Sequence, residues 1–194
     1  MKQSKFTVLS VIGMLSAAIA CGSPAEEKVG HPAAEQAKGK ILMILANPAI
    51  SEKTGWPIGV WASELTHPYL EFTQAGYAVE LASPDGGAIE FDGYSDPRHE
   101  SGYSAADFVT MGFINTPDLM ALTKDTKKLS SVTAGDYDAI FLVGGQSPMY
   151  TFRGNDELMR FVASFYESGK PTALVCHADR KSTRLNPVTD QSRM

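Results

Sequence analysis

Residues 40–46 (KILMILA) form a continuous apolar run rather than an alternating one. A strand covered on both faces reads this way, so the run predicts a buried parallel strand. Residues 78–82 (AVELA), bounded by Ser83-Pro84-Asp85-Gly86-Gly87, and residues 139–143 (AIFLV), bounded by Gly144-Gly145, predict two more, and residues 172–175 (TALV) a fourth. Between the strands the period becomes helical. Residues 60–74 place Trp61, Leu65, Tyr69 and Phe72 near one face, and residues 156–167 do the same with Leu158, Phe161, Val162 and Phe165. Both patterns end in glycine, at Gly76 and Gly169. Asn155 stands at an N-cap position, and Lys170-Pro171 restarts extended chain. Alternating strands and helices imply an α/β fold, a parallel sheet sandwiched between helices, because right-handed crossovers carry the helices to its faces.

Residues 88–118 break the pattern with Gly93, Pro97, Gly102, Gly112 and Pro117 among aromatics, and read as an insertion over one sheet edge. His99-Glu100 within it reads as solvated polar chain, since adjacent residues seldom point at one metal ion. Ahead of the first strand, residues 21–39 carry Pro, Ala, Glu, Lys and Gly without apolar period, which describes a flexible tether in which His31 is solvated. At the start, Lys2 and Lys5 precede an uncharged apolar run over residues 6–19 that ends in small residues, the pattern of an export signal. The run is shorter than the roughly 20 residues a membrane-spanning helix needs. Ala18-Ile19-Ala20 fits a signal peptidase site, whereas Ala20-Cys21-Gly22 resembles a bacterial lipoprotein lipobox; either cut leaves Cys21 first. The favoured expectation is a lipidated Cys21 and an exported bacterial lipoprotein, periplasmic or outer-membrane-anchored. Residues 40–178 remain as one domain.

The whole chain carries a formal net charge of −5, and residues 21–178 carry 11 Lys+Arg against 20 Asp+Glu, a net −9. Such a surface repels phosphate backbones and anionic headgroups, so no nucleic acid is expected as a partner and no membrane contact beyond the lipid on Cys21. Of the two cysteines, a lipidated Cys21 leaves Cys176 without an intramolecular partner. Buried packing is the usual fate of a free cysteine, but residues 171–178 (PTALVCHA) run an apolar strand straight into Cys176-His177. A thiol there sits at the carboxyl end of a parallel strand, where such sheets place ligands. A following helix would aim N–H groups and its dipole at the sulfur, favouring thiolate and holding an oxyanion. Neither a phosphate-cradling loop, a dinucleotide fingerprint nor zinc-spaced ligands occur, so no cofactor and no metal are expected.

Several short motifs occur in a telling order: residues 42–46 (LMILA), Gly59-Val60-Trp61 leading to Glu64, His67-Pro68-Tyr69, Ala75-Gly76-Tyr77, residues 82–87 (ASPDGG), residues 136–139 (DYDA), Gly144-Gly145, and residues 173–177 (ALVCH). Together they resemble the ThiJ/PfpI superfamily, a flavodoxin-like fold related to class I glutamine amidotransferase domains, and within it the heat-shock chaperone and glyoxalase III branch. The resemblance implies that Cys176 is the nucleophile, Glu64 the carboxyl bonded to its sulfur, and His177 the adjacent histidine. It also implies that Gly144 and Gly145 form the oxyanion turn, followed by Gln146. A neutral Glu64 would stabilise the thiolate whereas a charged one would oppose it, so Glu64 is expected to be protonated when Cys176 is ionised. The implied activity is cysteine-dependent chemistry on a small-molecule substrate, a reactive carbonyl or acyl compound, of glyoxalase, deglycase or hydrolase type, in a homodimer. The rival readings are a redox sensor or holdase chaperone, and third an amidotransferase-like domain.

Two positions depart from the resemblance. Gln146 stands where the glyoxalase branch has histidine, which removes an acid–base group. After Ala178, where the family continues with a small-residue helix, residues 179–186 read DRKSTRLN. Back-translated as GAT CGG AAG AGC ACA CGT CTG AAC, they match a common short-read library adapter. Residues 179–194 are therefore expected to be a non-native tail, the sheet incomplete at its carboxyl end, and the chain inactive as it stands.

Overall fold

The computed structural model describes residues 37–179. The export signal, Cys21, His31, the tether up to residue 36 and the tail from residue 180 lie outside the described residues. Backbone pairing already begins at Lys38, whose N–H donates to the Gly76 carbonyl at 2.9 Å.

The first strand, β1 (Lys40–Ile44), is the centre of the sheet, and its Leu42, Met43 and Ile44 are wholly buried. That double-sided burial is why its sequence does not alternate. It pairs in parallel with β4 (Ala78–Ser83) on one side and β6 (Ala139–Leu142) on the other. Beyond β6 lies β7 (Thr172–Leu174), and beyond β4 the two-residue β5 (Lys127–Lys128), giving the order β5-β4-β1-β6-β7. The four long strands are those the apolar runs predict. The edge strand β5 was not anticipated, because two exposed lysines carry no apolar signal. A small antiparallel hairpin, β2 (Ala49–Ile50) with β3 (Pro57–Ile58), was also unforeseen.

Helix α1 (Ala62–Gln74) connects β1 to β4, and α5 (Asp156–Glu167) connects β6 to β7. The two crossovers run in opposite directions along the sheet, so the same right-handed rule puts the helices on opposite faces. Phe72 of α1 meets Phe141 of β6 edge-on at 5.7 Å. On α5, Leu158, Val162 and Phe165 enter the core, and Asn155 caps the helix by accepting the Leu158 N–H at 3.0 Å. Gly76 and Gly169 close the two helices at φ of +89° and +76°. The α1 pattern overran its start by two residues, because Val60 is extended and bridged to Phe91 and Gly145.

The segment read as irregular holds α2 (Phe108–Ile114) and the start of α3 (Pro117–Lys124). Asp107 caps α2 through the Thr110 N–H at 3.0 Å, and Pro117 opens α3. Rather than covering an edge of the sheet alone, α2 packs on α1, with Thr66 and Thr110 hydroxyls 2.7 Å apart and Tyr69 edge-on to Phe113 at 5.5 Å. These helices are too short for their period to stand out among the surrounding glycines.

Register brings the carboxyl ends of the strands to one rim. Ile44 lies beside Ala82 and Leu142, and Leu142 beside Leu174. Residues 45–47, 143–146 and 175–177 therefore leave the sheet together. A buried polar network ties this rim: Asn47 Nδ2 donates to Ser83 Oγ and to the Gly86 carbonyl, both at 3.1 Å, and its Oδ1 accepts the Asp85 N–H at 2.9 Å. Ser147 Oγ donates to the Asn47 carbonyl, anchoring α4 (Pro148–Thr151) to the same corner.

Candidate active site

Cys176 leaves β7 in the left-handed region, φ +54°, and no other non-glycine described residue has a positive φ. A side chain in that conformation is strained, typically by about 1–3 kcal/mol, and persists only where the surroundings impose it. Here the Val175 N–H is tied to the Leu142 carbonyl at 3.2 Å, and a single 3-10 turn, Cys176–Ala178, follows. The expected strand-to-helix turn is thus one 3-10 turn within the described residues, too short to supply a helix dipole. The N–H groups that act on the sulfur are instead those of Gly145 and His177.

Glu64, in the first turn of α1, reaches the same point. Its Oε2 is buried without a well-formed hydrogen bond, and the Cys176 thiol and Gly144 N–H are the polar groups acting on it. Burial pushes the Glu64 carboxyl above the usual range, and the buried Asp92 adds to this, against the pull of Cys176, Gly144 and His177. Burial also pushes the Cys176 thiol up, helped by Glu64 and opposed by the Gly145 and His177 N–H groups. The sequence suggested a lowered thiol; although Cys176 is exposed at the surface, partial burial of its sulfur and the facing Glu64 carboxyl push it the other way. The upward shift of Glu64 runs in the direction that its protonation beside an ionised Cys176 requires.

The glycine turn divides its labour. A Cβ on Gly144 would overlap Glu64 Oε2 and fall 2.7 Å from both Cys176 Cβ and the Val175 carbonyl oxygen. Gly145, at φ +111°, crosses so close to residues 59–61 that a Cβ there would strike the Trp61 nitrogen and the Gly59 carbonyl oxygen. Of the two residues assigned to the oxyanion turn, Gly145 offers its amide to the sulfur and Gly144 turns its amide to Glu64, while the following Gln146 has its N–H engaged elsewhere. That engagement is with Asp92, which sequence reasoning missed. Asp92 is 2% exposed; its Oδ2 accepts the Gln146 N–H at 2.8 Å and its Oδ1 the Gly59 N–H at 2.9 Å. Ser95, also missed, accepts the Ala62 N–H at 3.0 Å, supplying α1 with the cap its own Trp61 does not. The only local hint was the Asp-x-x-Ser spacing of a turn, here closed by Ser95 Oγ donating to the Asp92 carbonyl at 2.7 Å.

His177 Nδ1 lies 3.0 Å from the Gly145 carbonyl oxygen and 3.6 Å from Cys176 Sγ. The structure therefore brings Cys176, Glu64, His177, Gly144 and Gly145 into one site. His99 is elsewhere, half-buried and bonded to Ser101, and among the described residues no cluster of His, Cys, Asp or Glu is arranged to hold a metal. An open cleft of about 460 Å³ between His67, Tyr103 and Phe108 contains none of the thiol-site residues. No helix among the described residues is long and apolar enough to cross a membrane.

Residues 58–185 match the DJ-1/PfpI family. The chain is 41% identical over 137 residues to protein/nucleic acid deglycase 2 of Escherichia coli, covering 65% of each chain. It is 28% identical over 144 residues to the probable glutathione-independent glyoxalase hsp3103 of Schizosaccharomyces pombe, covering 64% of this chain and 55% of that one. Among solved structures, glyoxalase III of Candida albicans superposes with a TM-score of 0.60 at 26% identity, over 78% of this chain and 62% of the other. The chain spans about half the length of the glyoxalases it matches. The matched residues run from the edge of the Gly59 crossing through the Cys176 turn, and the chain belongs to the DJ-1/PfpI family.

Proposed function

We propose that the protein is a cysteine-dependent enzyme acting on small reactive carbonyl compounds, of the kind the names of its glyoxalase and deglycase relatives describe. The observation that carries this reading is the left-handed Cys176, with Glu64 against its sulfur and the Gly145 amide beside it. Thiolate attack forms an S–C bond and breaks the carbonyl π bond; the electron pair moves to oxygen, which takes a proton. Glu64 is the group whose burial keeps a proton available, and His177 is placed to return one. Gln146 cannot exchange protons as a histidine would, so these two groups carry all of that work.

The test is consumption of glyoxal by the purified chain, with Cys176→Ala as control. Turnover that survives Cys176→Ala, or its absence in a chain extended to its relatives' length, defeats the proposal. The exposure of Cys176, the one cysteine among the described residues, also supports a second reading, reversible oxidation as a sensor. Dose-dependent sulfenic acid on Cys176 without turnover would favour it. Export through residues 1–20 with lipid on Cys21 belongs to the same proposal, and incorporation of labelled palmitate, lost in Cys21→Ser, tests it.

A further inference from the structure

We propose that Asp92 is a positioning residue for His177, acting through the Gly145–Gln146 peptide: its carboxylate grips the Gln146 N–H and thereby turns the Gly145 carbonyl onto His177 Nδ1. In a trans peptide the C=O of one residue and the N–H of the next point in opposite directions. No cis peptide occurs here. With the Gln146 N–H held 2.8 Å from Asp92 Oδ2, the Gly145 oxygen faces the other way, and His177 Nδ1 stands 3.0 Å from it. A carbonyl oxygen only accepts, so Nδ1 carries the proton, and Nε2 is left as the basic nitrogen.

The arrangement needs a carboxylate. Two N–H groups, of Gly59 and Gln146, converge on the two oxygens of Asp92, and an amide or protonated carboxyl would set a donor against one of them. Asp92 is itself held on three further sides, its N–H on the Val60 carbonyl at 2.8 Å and its own carbonyl accepting both Ser95 Oγ–H and N–H. A negative charge on the N–H side of a peptide polarises its carbonyl, strengthening the bond to imidazole. Burial pushes the Asp92 carboxyl above its ordinary value, and the N–H bonds from Gly59 and Gln146, with His177 beyond them, pull it back toward the charged form. Asp92 thus does through a peptide what an orienting carboxylate does directly to a histidine: it selects the tautomer.

The inference deepens the proposed function, which uses His177 as the proton carrier, but its test needs no turnover. In the full 194-residue chain with 15N-labelled histidine, the neutral ring of His177 is expected as the Nδ1–H tautomer. Asp92→Asn is expected to lower the ratio of Nδ1–H to Nε2–H roughly fivefold, about what loss of one ordinary hydrogen bond gives. A wild-type Nε2–H tautomer, or an unchanged ratio in a folded Asp92→Asn protein, overturns the proposal. Should Asp92→Asn fail to fold, the wild type decides. The Gln146 amide proton must then track the titration of the Asp92 carboxyl carbon, and one that ignores it overturns the proposal. A catalytically silent chain leaves these readouts intact, so failure here and failure of the enzymatic reading are separate.

Discussion

Glu64 Oε2 occupies the space a side chain on Gly144 would need. The glycine is thus required by the carboxyl, at a crossing where Cys176 and the Val175 carbonyl also press in. Gly144→Ala is expected to cost about 1–3 kcal/mol in chemical denaturation, the usual price of overpacking. Gly135→Ala, whose Cβ would meet only Thr133 at 3.9 Å, should stay within about 0.5 kcal/mol. Equal effects from the two would show that the crossing is looser than its geometry.

Glu64→Gln tests which protonation state of Glu64 faces the thiol. Glu64 pushes Cys176 up by bond and by charge. Glu64→Gln should therefore shift the pH midpoint of Cys176 alkylation by iodoacetamide downward, followed by mass spectrometry so that Cys21 is scored separately. An upward shift would mean that Glu64 serves mainly as a proton donor to the thiolate.

In the middle of β4, Glu80 meets Lys40, Lys127 and Tyr137. Burial pushes its carboxyl up, but the bonds from Lys127, Lys40 and Tyr137 prevail and hold it at about 2, below its ordinary 4.5. A lowered carboxyl contributes stability that is present above the unfolded value and is lost as pH falls through the folded one. Glu80→Gln should then destabilise at pH 7 by roughly 1–3 kcal/mol, allowing for partial exposure. The difference from wild type should shrink between pH 4.5 and about 2. A pH-independent difference would point to packing instead.

Asn47 satisfies three buried or half-buried groups after β1. Asn47→Ala strands them, and a loss of about 1–3 kcal/mol in thermal or urea unfolding is expected. Faster amide exchange at Asp85 should accompany it; unchanged exchange would show that water replaces the side chain.

Much of the fold was legible locally. The buried strands showed as unbroken apolar runs, and the helix ends as Asn155, Gly76 and Gly169, because these signals depend on a few neighbouring residues. Cys176 was legible too, at the end of such a run. Glu64 was reached only through the family resemblance, since its own surroundings in sequence are those of any helix surface. Short α2 and the two-residue β5 escaped because neither is long enough to display a period.

The sequence by itself determined the alternation of strands and helices, the placement of a thiol at the carboxyl rim, and the glycines that let backbones cross there. Only the tertiary structure decided what surrounds that thiol. Asp92 meets Gly59 and Gln146 from 33 and 54 residues away, and no local pattern encodes such partners. The direction of the Cys176 shift was decided in the same way: burial and the carboxyl it meets are properties of the packed site, whereas the sequence shows only which strand the cysteine follows.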